Sequence, residues 1–358
     1  MDDLALRAEF PVLERLAYLN SGTQGPVPDR GARAGAAEVE RERVEGRGAP
    51  RHFERLMALG EELRAHAARV FACDADEVAL TGSTTDGMNG VLTALDLGPG
   101  DEVLTSDEEH PGLLGPLATG SKRRGYGVRV APFAEIANAI GPRTKLVACS
   151  HVSWVNGQVV DTAALAAADP LVLLDGAQGL GAVPTAMGDI GCDFYGAAGQ
   201  KWLCGPDGTG YLYVRADLCA DLPSPWPSYM TLEEPAEALA SAPKAGARRF
   251  DVGFSAPLWA WAAAACEVFD EAGWGAVHAR GPELAARLAS ELRERGAEVA
   301  PRGHSTLVAW HSDDATAEVL RMDRAGVVVR ELPGRGLVRA SVGAWSSEDD
   351  LERLLAAR

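Results

Sequence analysis

Two residues 26 positions apart carry the clearest chemical signal in this chain. Leu173-Leu174-Asp175-Gly176-Ala177-Gln178 places a carboxylate directly after an apolar run. Gly199-Gln200-Lys201-Trp202 places an amine among small and aromatic residues. Singly, each has an ordinary reading: an Asp after a strand serves as a turn or helix cap, and a lysine is usually solvated. Together they are more specific. Partial burial lowers a lysine pKa and makes its amine available for a Schiff base. A nearby carboxylate keeps a pyridine nitrogen protonated. A Schiff-base lysine with an acidic partner is what pyridoxal 5′-phosphate (PLP) requires.

Three further stretches fit that chemistry. Gly82-Ser83-Thr84-Thr85-Asp86-Gly87 lies between a strand-like and a helix-like segment, where backbone N–H groups and hydroxyls make an anion cup. His110, in Glu108-Glu109-His110-Pro111-Gly112, offers a flat ring that can stack on a planar cofactor. Arg339, in Val338-Arg339-Ala340-Ser341, can grip a carboxylate with two parallel hydrogen bonds. Alone, these read as an N-cap, a loop histidine and a surface ion pair. Nucleotide motifs are missing: no GxxxxGK[ST] occurs, and the glycines of Gly176-Ala177-Gln178-Gly179-Leu180-Gly181 run in the wrong order for GxGxxG.

The elements that must position these residues alternate. Residues 4–16 read as a short amphipathic helix, followed by the turn Asn20-Ser21-Gly22-Thr23-Gln24-Gly25-Pro26. Helices are expected over 29–45 and 53–71; in the second, Leu56, Leu59, Leu63, Ala67 and Val70 recur at helical spacing. Short apolar strands at 78–81, 102–105, 128–131, 146–150, 171–174 and 194–196 interleave with helices at 84–95 and 113–124. Several strands are continuously apolar, as in a sheet covered on both faces. The fold class is α/β with a large, mostly parallel sheet, and ligands then bind beyond the carboxyl ends of the strands. After a Pro- and Glu-rich loop at 223–246, helices at 256–272, 282–295 and 316–325, strands at 305–310, 327–332 and 337–342, and a last helix opened by Ser347 and Asp350 suggest a smaller α+β domain. We expect a large domain over 17–245 and a small one over 246–358, with residues 1–16 packing on the latter.

Bulk properties set limits. Of 358 residues, 47% are hydrophobic and 24% charged, as in a globular protein of two or so domains. A net charge of −17 repels a phosphate backbone and argues against nucleic-acid partners. The six cysteines include no CxxC pair, so free thiols are expected and a metal cluster is not. The opening MDDLALRAEF has no basic start or apolar stretch, and the run Ala256–Cys266 contains Pro257 and is too short for a bilayer. A cytoplasmic protein without membrane partners is the expectation.

In their order, Tyr18-Leu19-Asn20-Ser21-Gly22-Thr23-Gln24-Gly25-Pro26, Ser83-Thr84-Thr85-Asp86-Gly87-Met88-Asn89, His110-Pro111, Asp175-Gly176-Ala177-Gln178, Gln200-Lys201-Trp202, Cys204-Gly205-Pro206-Asp207-Gly208-Thr209-Gly210 and Arg339-Ala340-Ser341 resemble the class V aminotransferases. That group includes cysteine desulfurases, isopenicillin N epimerase-like proteins and the C–S lyases of ergothioneine synthesis. The opening motif is similar to the last two branches. The resemblance spans nearly the whole chain. It implies PLP fold type I and a homodimer with shared active sites. It also implies roles. Lys201 forms the Schiff base and Asp175 pairs with the pyridine nitrogen. His110 and Ala177 flank the ring, and Gln178 reaches the phenolic oxygen. Thr84, Thr85 and Gln200 hold the phosphate, with Ser255 a weaker candidate from the neighbouring subunit. Arg339 takes the substrate carboxylate. Asn20, Thr23 and Trp154 are expected on the substrate side, whereas Arg47, Arg51 and His52 are left between site and surface.

Departures from the resemblance matter as much. Many relatives carry Ser and His just before the lysine where this chain has Ala198 and Gln200, and desulfurases often carry Asn where Trp154 stands. Desulfurases attack sulfur with a cysteine on a small-domain loop, yet no cysteine follows Cys266, and the stretch before Arg339 reads Val329-Arg330-Glu331-Leu332-Pro333-Gly334-Arg335. The expected reaction is therefore C–S lyase-type β-elimination of an S-substituted cysteine, a small-molecule substrate. Transamination and epimerisation are the alternatives, and a desulfurase with a cysteine nucleophile is disfavoured.

Overall fold

The apolar runs become the middle of a seven-stranded sheet. The structure is a computed structural model that describes residues 3–358. Its strands in chain order are β1 (Ala17–Tyr18), β2 (Val78–Thr81), β3 (Glu102–Ser106), β4 (Gly127–Ala131), β5 (Thr144–Ser150), β6 (Leu171–Asp175), β7 (Phe194–Ala198), β8 (Gly210–Val214), β9 (Leu307–His311), β10 (Val327–Val328), β11 (Arg330–Leu332) and β12 (Leu337–Ser341). The large sheet runs β2-β8-β7-β6-β5-β3-β4. Strands β3 to β7 are mutually parallel, while β8 is antiparallel to both β7 and β2. Two reversals bring β2 back into the common direction, so its carboxyl end shares an edge with those of β3, β6 and β7.

Alternation along each strand explains why both faces are apolar. Leu104, Val147 and Leu174 join one core with Leu56, Leu59 and Leu63 of the helix Pro50–Phe71 and with Trp259 of the helix Ala256–Ala272. Their neighbours Val103, Leu146 and Leu173 join the opposite core with Met88 and Val91 of the helix Thr84–Ala94 and Leu113 and Leu117 of the helix Pro111–Arg124. Each such side chain, fully buried, contributes about 1.5–3 kcal/mol. This is the α/β architecture with a large, mostly parallel sheet.

The chain's later part builds a second sheet, β11-β12-β9, all antiparallel, over its own core of Leu288, Trp310, Met322 and Leu354. The N-terminal segment ties into it: β1 pairs with β10, and Asn20 bridges Ser341. Upstream, Arg7 pairs with Asp350 at 2.6 Å. Leu6, Phe10 and Leu13 meet Trp345 as well as Val152 and Trp202, so residues 3–16 touch both sheets' surroundings. Contacts also cross position 245/246: Asp251 pairs with Arg64 at 2.7 Å, and Val252 N donates to Leu80 O.

Several expected elements differ. The helix over 4–16 is two pieces, Asp3–Ala8 and a 3-10 turn Pro11–Glu14, because Pro11 lacks an N–H and disfavours helical backbone at Phe10. The helix expected from 282 starts at Trp274 and carries Pro282 inside it, its first turns held by packing of Trp274 on Phe269. The strand over 327–332 is split between two sheets as β10 and β11. Strand β8, Gly210-Tyr211-Leu212-Tyr213-Val214, is an additional strand, antiparallel to both its neighbours.

Candidate active site

Every chemically suggestive residue read from a strand end arrives at one edge of the large sheet. Asp175 ends β6, Lys201 follows β7 by three residues, Thr84 opens the helix after β2, and His110 caps the helix Pro111–Arg124 beyond β3. They line a cavity of about 230 Å³ together with Thr85, Ala177, Gln178, Gln200, Arg339, Trp154 and Thr23.

A tight turn presents Lys201. Cys204 N donates to Lys201 O, Gly205 N donates to Gly199 O, and Cys204 is forced to a left-handed φ of 53°. Gly25 lies against this turn: its N–H donates to Gln200 O at 2.8 Å, and a Cβ there would sit 2.1 Å from Lys201 O. Burial lowers the Lys201 amine to about 8, against the opposing pull of the Asp175 charge. Asp175 is 5% exposed, and its Oδ1 accepts from Ala177 N at 2.9 Å. Burial pushes the Asp175 carboxyl up, whereas the Ala177 N–H and the Lys201 charge hold it down.

At the start of the helix Thr84–Ala94, Ser83 Oγ caps Asp86 N, which leaves the buried Thr84 Oγ1 without a partner. Gln200 Oε1 is likewise buried and unpartnered. His110 Nδ1 accepts from Gly112 N at 3.0 Å, so its Nε2 carries the proton of a neutral ring. Partial burial and then the Lys201 charge keep that ring neutral by lowering its pKa. The imidazole stands edge-on to Trp154, with centroids 5.4 Å apart at 88°. The Gln178 side chain is held from both ends: Nε2 donates to Gly22 O at 2.8 Å and Oε1 accepts from Trp202 Nε1 at 3.1 Å. One Nε2 hydrogen is left for a ligand.

Arg339 is completely buried; among the described residues only its Nη1 is occupied, by the Trp154 carbonyl, and Nε and Nη2 have no partner. Burial, reinforced by Arg330, lowers this guanidinium to about 9, so it remains charged at neutral pH. A buried cation without a counter-ion is costly, which marks the place as built for an anion.

Two expected residues fall outside the wall. Asn20 reaches it only through Thr23, whose Oγ1 donates to Asn20 Oδ1 at 2.8 Å. Ser255 opens the helix Ala256–Ala272 without lining this chain's own pocket; its expected role is in the neighbouring subunit's site. Arg51 and His52 lie in a separate depression with Glu38 and Glu45. In the other direction, Gly22, Ser83, Ala198 and Arg330 line the cavity and were not assigned. Arg330 Nη1 donates to Thr23 Oγ1 at 3.1 Å, and its guanidinium lies 5.9 Å from the Trp154 ring centroid. Its place follows from the hairpin register, which pairs position 330 with 339.

Residues 18–354 match the family Aminotransferase class-V. The chain belongs to that family. Isopenicillin N epimerase of Streptomyces clavuligerus is 27% identical over 95% of this chain and 93% of its own length. A probable cysteine desulfurase of Pseudomonas aeruginosa is 31% identical over 98% of this chain and 96% of its own. Among solved structures, the cystine C–S lyase C-DES is 26% identical. Bound to its reaction product cysteine persulfide it superposes with a TM-score of 0.90, covering 97% of this chain and 98% of that one. A C-DES variant with glycine covalently linked to the PLP cofactor gives 0.92, covering 98% of each. This chain is a PLP-dependent enzyme of fold type I. Its pocket fits the cofactor: an amine, a buried carboxylate, and an orphaned Thr84 hydroxyl at a helix start suited to a phosphate. No helix among the described residues is long and apolar enough to cross a membrane.

Proposed function

We propose that the enzyme cleaves the Cβ–S bond of an S-substituted cysteine by β-elimination. One observation carries the reading: among the described residues no thiol lines the pocket. The hairpin that brings Arg330 and Arg339 to it closes through four residues, Pro333 to Gly336, with no room for a cysteine-bearing loop. Cys204, near Lys201 in sequence, is buried with its Sγ turned to the Lys201 carbonyl. Sulfur then leaves on the substrate's own fragment. The likeness to a cystine C–S lyase supports this reading.

When bound, PLP supplies an electron sink for negative charge at the substrate Cα. Thr84, Thr85 and Gln200 hold its phosphate, Asp175 its ring nitrogen, and Ala177 and His110 its two faces. Arg339 anchors the substrate carboxylate through Nε and Nη2. Lys201 Nζ, lowered to about 8, takes the Cα proton as general base. The Cβ–S bond breaks with its electron pair on sulfur, which is protonated to a thiol or persulfide. With one water added, the carbon skeleton leaves as pyruvate and ammonium. The working form we propose is a cytoplasmic homodimer.

Purified enzyme with S-substituted L-cysteines and their sulfoxides is expected to release pyruvate, and Lys201→Ala is not. If no pyruvate appears while amino acids still shift the cofactor absorbance, the second reading takes over: transamination or epimerisation, favoured by the likeness to isopenicillin N epimerase.

A further inference from the structure

The sequence Asp107-Glu108-Glu109-His110 contributes His110 to the pocket, but Glu108 faces the loop Ser153–Gly157. Both of its carboxylate oxygens are used there. Oε2 accepts from Ser153 Oγ, and Oε1 accepts from Asn156 Nδ2 at 2.9 Å. The loop is otherwise wound on itself: Val155 N donates to Ser153 Oγ, Gln158 N to Asn156 Oδ1, and Gly157 N to Ser153 O. On the other side, Ser305 Oγ donates to Gly157 O at 2.7 Å. In this loop stands Trp154, whose carbonyl receives the one hydrogen bond that the buried Arg339 guanidinium makes among the described residues.

Partly buried, this carboxylate loses hydration, which is offset by two neutral donors and the nearby Arg335 charge. Two donors converge on it, and glutamine keeps one acceptor oxygen for Asn156, must turn the Ser153 hydroxyl into an acceptor, and takes the charge out of both bonds. We propose that Glu108 is a positioning residue: by gripping Ser153 and Asn156 it fixes the Trp154 carbonyl, and through that carbonyl the direction in which Arg339 presents its free Nε and Nη2 edges. One turn then sets both the ring of His110 and the aim of the arginine. The inference rests on the reading that Arg339 takes the substrate carboxylate.

The test uses holoenzyme and two probes without a leaving group, L-alanine and L-alaninamide, titrated by the change in cofactor absorbance. They share the amine and differ in the carboxylate. Glu108→Gln is expected to weaken L-alanine about tenfold, the equivalent of one charge-assisted hydrogen bond, and to leave L-alaninamide unchanged, with cofactor content and starting spectrum as in wild type. Arg339→Gln is the control for the underlying reading and must weaken L-alanine selectively. If it does and Glu108→Gln weakens both probes equally or neither, the positioning role is wrong. If Arg339→Gln itself does not discriminate, the carboxylate reading is wrong instead. Should Glu108→Gln fail to fold, Ser153→Ala removes one of the same two bonds. A selective loss of about threefold supports the role, because Asn156 still holds the other carboxylate oxygen; an equal loss for both probes overturns it.

Discussion

Arg330 and Arg339 stand directly opposite each other on the adjacent strands β11 and β12. Like charges in such a pair destabilise a sheet by a few tenths to about 1 kcal/mol, and neither guanidinium has a carboxylate partner in the pocket. The cost makes sense if two anionic groups arrive with the substrate. Replacing Arg330 by Gln is expected to raise the unfolding midpoint of the ligand-free protein slightly. The same change lowers kcat/KM about 10–100-fold for cysteines whose S-substituent carries a carboxylate, less than the loss for a fully desolvated charge pair because Arg330 is only partly buried, and leaves S-alkyl cysteines nearly unaffected. Equal losses for both substrate types would assign Arg330 to the common part of the substrate.

Gly22 lies where the pocket wall leaves no room for a side chain. A Cβ built on it would stand 2.8 Å from both Gln178 Oε1 and Ser341 Oγ, and 3.0 Å from Arg339 Nη2. All three neighbours are buried, so none can swing away freely. Gly22→Ala is expected to cost about 1–3 kcal/mol by overpacking. It should both raise KM for the amino acid and lower cofactor affinity, because the methyl group meets Gln178 as well as Arg339. Steady-state kinetics beside a PLP titration separates the two effects.

The Lys201 amine gives a pH test that needs no substrate. Burial lowers it from 10.5 to about 8, and Asp175 opposes that shift. Only the neutral amine condenses with an aldehyde. The rate at which apoenzyme takes up PLP, trapped by borohydride, should therefore rise with pH and level off above about 8. Asp175→Asn removes the charge that favours the ammonium, so its midpoint must move to lower pH. A midpoint that stays put, or moves up, would show that Asp175 does not act on Lys201.

Much of this arrangement was legible in the chain. Asp175 and Thr84 could be placed because apolar runs fix where parallel strands end, and ligands bind at those ends. Lys201 stood out because its neighbours are small and aromatic. What escaped depends on register and close approach. Arg330 becomes significant only once the turn Pro333–Gly336 aligns it with Arg339, and Gly22 only once residues more than 150 positions away close around it. Asn20 was assigned to the substrate from its motif alone; the structure gives it Thr23 to hold instead. Strand β8 was missed because it reverses direction within a chain whose rhythm suggested only parallel strands.

Glu109 gives the last prediction. It is 3% exposed, and Ser106 Oγ, Ser150 N and Ser150 Oγ all donate to it, the last at 2.5 Å. Burial pushes its carboxyl up from 4.5 to about 7, more than these donors hold it down, and the Asp175 charge adds to the rise. Between those two pH values the folded chain keeps a proton that the unfolded chain has lost, so stability falls as pH rises through this window. Glu109→Gln cannot lose that proton. Its oxygen can keep the Ser106 and Ser150 N–H bonds, and its amide can donate to Ser150 Oγ. The variant should match wild type near pH 5 and exceed it near pH 8, by on the order of 2 kcal/mol in urea unfolding. A difference that does not change with pH would mean that Glu109 is ionised in the folded protein well below pH 7, held so by its serine donors.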